Sequence, residues 1–288
     1  WDGFQQAFLS TQSSHFKSAS PLMEQPSAAS TDPEAAASEQ ATSPHPEELA
    51  SFDQAYFAPW GKREILTWSL RCGTALAASL LLGWFYSRWF AAGSALIVPF
   101  WAFMVLFFRN PSRTITADAG VLVAPADGTV WDIGEVDEDE YIEGRCLRIG
   151  IFLSVFNVHV NRAPCAGEIE WLSHKEGGFS DARSETAALS NENNSIGMRI
   201  SEGEAVGVPL VLKQVSGAIA RRIICPLKKK DRVTRGGLIG MIKYGSRTEI
   251  MIPLEAGFQP AVAVKDKVCG GVTILGRFER TDEGKTEG

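Results

Sequence analysis

The chain has 288 residues, enough for one or two domains, and its 28 Lys and Arg against 34 Asp and Glu leave a net charge of −6. That balance excludes the strongly basic footprint of a nucleic-acid-binding domain, so no nucleic-acid partner is expected. The five cysteines (Cys72, Cys146, Cys165, Cys225, Cys269) are scattered and odd in number, which excludes a disulfide framework, and four histidines are too few for a multi-histidine metal centre, so no metal is expected.

Residues 1–60 are rich in Ser, Ala, Pro, Gln and Glu, with eight acids (Asp2, Glu24, Asp32, Glu34, Glu39, Glu47, Glu48, Asp53) against the single base Lys17. Such a stretch buries too little apolar surface to offset its ordering entropy and reads as a disordered acidic tail. It is too acidic for a mitochondrial transit peptide and lacks a signal-peptide pattern. Residues 61–110 form the next unit. Its second half, residues 89–108, is a run of 20 residues without a charge, near the length that crosses a bilayer. A shorter apolar run, residues 72–86, precedes it across Ser87 and Arg88, with Arg71 at its start. The predicted element is a transmembrane helical hairpin; the alternative is one buried core helix. Lys62, Arg63 and Arg71 flank one side and Arg109 and Arg113 the other, so the positive-inside tendency puts both ends in the cytoplasm. Arg88 at the tip runs against that orientation.

From residue 111 to 280 the pattern changes to short apolar or alternating runs bounded by Gly, Pro and Asp: residues 120–125, 128–133, 145–153, 167–172, 197–200, 210–215, 222–225, 238–243 and 248–253. This predicts a mostly β domain, sandwich- or barrel-like, with minor helix around 182–190. Residues 281–288 are a polar tail.

Three places in the β domain carry candidate chemistry. Asp127 lies in Pro125-Ala-Asp-Gly128, a sequence that is also an ordinary turn. His159 lies between Asn157 and Asn161; if residues 157–161 are extended, these three share a polar face opposite Val158 and Val160. A histidine there is equally readable as a satisfied surface or cap residue. The third place is Gly245-Ser246, between two strand-like runs, where a simple turn is the plain reading. A nucleophilic serine needs a base and the base an orienting group, and Ser246, His159 and Asp127 are candidates for those roles.

Phe108-Arg-Asn-Pro, Pro125-Ala-Asp-Gly-Thr-Val, Asn157-Val-His-Val-Asn-Arg-Ala-Pro, Ala220-Arg-Arg-Ile, Asp231-Arg-Val and Gly240-Met-Ile-Lys-Tyr-Gly-Ser-Arg, in that order, resemble the short, bacterial-type phosphatidylserine decarboxylase proenzymes over roughly residues 105–278. The resemblance implies self-cleavage between Gly245 and Ser246, into a β chain of residues 1–245 and an α chain of residues 246–288, with Ser246 becoming a pyruvoyl group. That group would be the only cofactor. It would take the amine of phosphatidylserine as a Schiff base and accept the electrons released with CO2, leaving phosphatidylethanolamine. His159 is implied as the base that activates Ser246 or carries later protons, and Asp127 as its orienting or charge-stabilising partner. The implied setting is the cell membrane with the catalytic domain facing the cytoplasm. The implied assembly is an α/β heterodimer of the cleaved chains, alone or in a higher oligomer. Two positions depart from the family pattern: Arg162 stands where longer members carry a second histidine, and Asn193 where an arginine is common. Arg109, Arg113 and the run Lys228, Lys229, Lys230 are the basic groups noted for the substrate phosphate. The competing expectation is a membrane-anchored, non-catalytic β domain resembling lipoyl- or biotinyl-carrier folds in its Gly-rich hairpins, which requires an intact chain.

Overall fold

The computed structural model describes residues 55–115, 118–178, 180, 190–217, 222–243 and 246–279. The helix expected around 182–190 therefore lies, but for Ser190, outside the described residues, as do residues 1–54, Gly245 and the 281–288 tail. Residues 55–60, which composition assigns to the acidic tail, are packed: Ala58 and Trp60 are buried, and Phe57 bridges Arg109.

Among the described residues three α-helices come first. Helix α1 (Lys62–Phe85) is followed by α2 (Arg88–Ala92) and α3 (Ser94–Phe107). The Ser87 hydroxyl caps α2 by accepting from the Trp89 amide. The chain reverses at the tip, so the Trp101 indole donates to Ser69 at 3.0 Å and Trp68 meets Phe100 edge to face at 5.5 Å. The 72–86 run is thus the later part of a 24-residue helix that starts well before Arg71. Both arms are long and apolar enough to cross a bilayer by length and composition. A core helix of a soluble domain would bury these side chains. Here Trp84 is 85% and Trp89 82% exposed, which removes the buried-core alternative.

Among the described residues fourteen strands follow: β1 (Val121–Val123), β2 (Gly128–Glu138), β3 (Gly144–Leu153), β4 (Val160–Arg162), β5 (Gly167–Lys175), β6 (Asn193–Ile200), β7 (Pro209–Ser216), β8 (Arg222–Ile224), β9 (Arg232–Val233), β10 (Leu238–Lys243), β11 (Ser246–Pro253), β12 (Phe258–Pro260), β13 (Lys267–Val268) and β14 (Ile274–Phe278). They make an eight-stranded antiparallel sheet in the order β13-β2-β3-β11-β7-β6-β5-β9 and two three-stranded sheets, β4-β10-β8 and β1-β14-β12. All nine runs read from the sequence are strands. The domain is mostly β, as its turn-punctuated pattern requires.

Strand β11 is central, paired with β3 on one side and β7 on the other. Directly opposed residues of antiparallel strands project to the same face, so the register sorts the side chains. One face of the large sheet carries Ile149, Ile250, Leu212 and Ile196 in a row, all within the main hydrophobic core. The next row on that face is Ile151, Thr248, Gln214 and Asn194, and the row beyond it begins Leu153, Ser246 and Ser216. The face therefore grades from apolar to polar toward the end of β11 that bears Ser246. A second, smaller cluster of Trp60, Phe107, Phe108, Val158, Val160 and Met241 joins the base of the hairpin to the β4-β10-β8 sheet.

Candidate active site

Ser246 is the first residue of β11 rather than a turn residue. Its side chain is fully buried, and its Oγ has no hydrogen-bond partner among the described residues. The facing residue on β7, Ser216, is likewise fully buried with an unpartnered Oγ. A buried hydroxyl without a partner costs on the order of 1–3 kcal/mol, so two facing each other mark a place where stability is not the governing constraint.

Beside this pair runs a chain of buried amides. The Asn194 Nδ2 donates to Gln214 Oε1 at 2.9 Å, Gln214 Nε2 to Asn161 Oδ1 at 2.8 Å, and Asn161 Nδ2 to the Thr248 hydroxyl at 3.2 Å. Asn161 belongs to β4, so this chain ties the small sheet to the row below Ser246. Glu192 follows on the same edge: the Ser216 amide donates to its carbonyl, and its carboxylate accepts from the Ile223 amide. Burial, reinforced by Glu176, pushes the Glu192 acid up to about 7, and its carboxylate also lies 3.6 Å from His174 Nε2. Nothing in the turn-like stretch Asn191-Glu-Asn-Asn194 signals that raised value.

His159 is fully buried, which corrects the expectation of a polar, exposed face. Regular extended structure begins only at Val160, so strict alternation does not hold through residues 157–161. The imidazole packs on the Phe107 ring, with centroids 4.2 Å apart, at the hairpin base. Its Nδ1 lies 3.0 Å from the Asn157 carbonyl. A carbonyl only accepts, so Nδ1 carries the proton and Nε2 is the basic nitrogen. Asn157 is itself held, its Oδ1 accepting from the Ser154 amide at 2.9 Å and hydroxyl at 2.7 Å. Burial, set against the Asn157 hydrogen bond and helped by Arg109, lowers His159 to about 4, so the ring is neutral at pH 7. The Ile242 amide donates to the His159 carbonyl at 3.2 Å, anchoring the histidine backbone to β10 just before Ser246 in the chain.

Asp127 is held by groups on either side of its turn. Its carboxylate accepts two bonds from Arg113, at 3.0 and 2.8 Å, and one from the Gly270 amide at 2.8 Å. The turn it occupies touches the histidine segment through the backbone, the Arg162 amide donating to the Pro125 carbonyl at 2.8 Å. Gly128 closes that turn where a Cβ would lie 2.3 Å from the Phe152 carbonyl oxygen, so no larger residue fits. The orienting contact on His159 is thus the Asn157 carbonyl.

The two departures from the family pattern acquire partners. Arg162 is buried and donates to the Gly236 carbonyl at 2.7 Å and to Asn110 Oδ1 at 2.5 Å, which fastens the segment after the hairpin to the β domain. Asn193 donates to the Asn191 carbonyl at 2.9 Å. Of the basic groups noted for a phosphate, Arg113 is engaged by Asp127, Arg109 by the Phe156 and Leu106 carbonyls, and Lys228, Lys229 and Lys230 lie in an exposed turn beside β5. The cation the sequence reading passed over is Lys243, buried at the end of β10 and ion-paired with Glu64 of α1. Its signal was a charge closing the apolar run 238–242.

The family model for phosphatidylserine decarboxylase matches residues 100–276. The phosphatidylserine decarboxylase proenzyme of Carboxydothermus hydrogenoformans is 40% identical over 205 residues, which cover 71% of this chain and 92% of that protein. The like-named protein of Citrifermentans bemidjiense is 41% identical over 206 residues, 71% of this chain and 91% of its own. That of Desulfotalea psychrophila is 41% identical over 177 residues, 62% and 80%. With the family pattern running from the end of the hairpin to β14, through the buried serine and the neutral histidine, the chain belongs to the phosphatidylserine decarboxylase family.

Proposed function

We propose that this protein cleaves its own chain between Gly245 and Ser246 and then decarboxylates phosphatidylserine to phosphatidylethanolamine and CO2. The observation that carries this reading is the buried, unpartnered hydroxyl of Ser246 on the central strand, within a chain of this family.

In self-cleavage, His159 Nε2 takes the Ser246 hydroxyl proton and Oγ attacks the Gly245 carbonyl. The Gly245–Ser246 C–N bond breaks, the nitrogen takes up the proton, and an ester joins the two chains. Loss of the Ser246 Cα proton then expels Gly245 as a carboxylate and leaves a dehydroalanine. Tautomerisation and hydrolysis release ammonia and leave a pyruvoyl group at residue 246. The neutral state of His159 suits it to the first transfer, and a carbonyl-held tautomer keeps Nε2 as the acceptor. Asp127 we assign to positioning: bonded to Arg113 and Gly270, it fixes the turn that supports the histidine segment.

A residue converted to a ketoacyl group must lose its hydroxyl without losing a structural bond, and Ser246 Oγ makes none to the described residues. Once formed, the pyruvoyl group supplies the electron sink for the pair released with CO2. The chain's own groups exclude water, through the apolar hairpin base over His159, and exchange the proton, through His159. The α/β heterodimer survives the break because β11 stays hydrogen-bonded to β3 and β7, strands of the other fragment. We assign the helical hairpin to the cell membrane with both ends cytoplasmic, from its apolar exposed surface and the Lys62, Arg63, Arg109 and Arg113 flanks.

Intact-mass analysis of the purified protein beside Ser246→Ala tests this. The expected result is two chains in the parent, the smaller beginning at residue 246 with a pyruvoyl terminus, one chain in the variant, and CO2 release from phosphatidylserine by the parent alone. A single uncleaved, folded parent chain would overturn the reading.

A further inference from the structure

Lys243 ends β10, and residues 244 and 245 alone separate it from Ser246. Lysine is almost never fully buried unless paired. Here the side chain is 5% exposed, and its ammonium is ion-paired with Glu64, in the first turn of α1. Arg222 is its direct cross-strand neighbour on β8, and Arg63 precedes Glu64. Burial pushes the Lys243 ammonium below its ordinary range; Glu64 opposes that, and Arg222 and Arg63 add smaller shifts in the same direction as burial. Lys243 is thus paired with one carboxylate and lies within electrostatic range of two further cations. The other Glu64 oxygen is buried and has no hydrogen-bond partner among the described residues.

The position of this cluster matters as much as its charge. Met241, two residues before Lys243 and so on the same face of β10, packs with Trp60, Phe107 and Phe108 at the hairpin base. Phe107 also covers His159. Lys243 therefore lies on the side of the small sheet where the histidine and the hairpin meet. Beyond Glu64 the exposed surface of α1 is apolar, with Leu66, Leu70, Leu80 and Leu81 open. The ammonium sits at the polar end of an apolar hairpin, where a lipid headgroup meets its tails.

We propose that Lys243, aimed by Glu64 and flanked by Arg222 and Arg63, binds the phosphodiester of the lipid substrate and selects for it. The proposal rests on the decarboxylase reading above. In such a lipid the phosphate is a few covalent bonds from the serine amine, and the amine must reach residue 246. A cation three residues before that position matches this short span. Lysine binds phosphate as a compact point charge with three donors, and a charge-assisted bond from a buried group is among the stronger ones. The bond from Glu64 to Lys243 favours the charged ammonium and fixes its direction.

The competing role is a structural staple between hairpin and domain. The full chain in detergent, as parent, Lys243→Gln and Lys243→Arg, separates the two. Cleavage is followed by gel. Then kcat and KM are measured on phosphatidylserine micelles and on a lipid of the same tails whose serine is joined through an uncharged carboxyl ester. Loss of one charge-assisted bond predicts a KM for phosphatidylserine raised on the order of 10- to 100-fold in Lys243→Gln. The phosphate-free lipid should change by less than about twofold. Lys243→Arg should recover most of the phosphate preference. Equal losses on both substrates would overturn the proposal in favour of the staple. If Lys243→Gln does not mature, Arg222→Gln carries the same comparison, and unchanged phosphate preference there, or failure of both variants to mature, also overturns it. A parent chain inactive on both lipids overturns the decarboxylase reading itself, a result distinct from an active parent with a non-selective variant.

Discussion

At the scale of the residue, His159 illustrates how burial tunes one group for its task. Exposed, an imidazole near 6.5 is half charged in mildly acidic water; enclosed by Phe107 and the hairpin base it is held near 4. The unfolded chain takes up a proton at His159 below about 6.5 and the folded chain only below about 4. The stability present above 6.5 is therefore lost as pH falls through this window, by on the order of 3 kcal/mol at its end. Denaturant titration of Ser246→Ala, kept as one chain, should show a stability slope between pH 6.5 and 4 that flattens in Ser246→Ala with His159→Gln. Equal slopes would assign the loss to other groups. Within the same reasoning, self-cleavage should hold its rate down to about pH 5, because the base stays neutral there.

At the scale of the element, β11 presents two different faces. Toward the core it carries Ser246, Thr248 and Ile250. Toward the other side it carries Arg247 and Glu249, both almost fully buried, with Arg247 2.7 Å from Asp132 and 2.7 Å from Glu249. The guanidinium fits because Gly150, opposite Glu249 on β3, has no side chain: a Cβ there would lie 2.9 Å from Arg247 Nη2 and 2.9 Å from Asp132 Oδ2. This ion group immediately follows Ser246 and holds the start of β11 in the sheet, before and after a chain break. Gly150→Ala should push the guanidinium off Asp132 and destabilise the protein by about 3 kcal/mol, the cost of disrupting a buried charge pair. Thermal unfolding in detergent measures it; a change under about 0.5 kcal/mol, the range of an indifferent surface substitution, would contradict this account of the ion group.

At the scale of the whole molecule, the hairpin and the β domain are built as one piece. Asn110 is fully buried just after α3: its amide donates to the Tyr56 carbonyl and its side chain to the Ala55 carbonyl, and it accepts from Arg162. The Phe108-Arg-Asn-Pro motif thus clamps both ends of the hairpin to the domain, and the apolar arms leave from the side that holds His159 and Lys243. A lipid lying beside the arms would present its headgroup to that side. In a chain with its native cysteines replaced, Tyr86→Cys at the hairpin tip should react with an impermeant thiol reagent only from the membrane face opposite the β domain. Labelling from the domain side would mean the hairpin lies in one leaflet.

The amino-acid sequence by itself determined the strand pattern and the apolar hairpin, because hydrophobic period and run length are local properties that each segment carries alone. It also carried the family resemblance and with it Ser246. Its errors were at boundaries and partners. Residues 55–60 look like tail by composition, yet Ala58 and Trp60 are buried by contacts with Phe107 and Phe108, far along the chain. The 72–86 run looked too short because Lys62, Arg63 and Arg71 hide the first turns of α1 from a hydropathy count. His159 was given a polar face because alternation was assumed where the strand had not begun. The bonds of Asp127 to Arg113 and Gly270 join residues distant in the chain and have no local signal. Nothing in the segment of Lys243 names Glu64 as its partner. What tertiary structure alone decided was burial and charge pairing, which depend on groups distant in sequence: the neutral histidine, the raised Glu192, the unpartnered serine and the cation cluster exist only once the sheets and the hairpin close on one another.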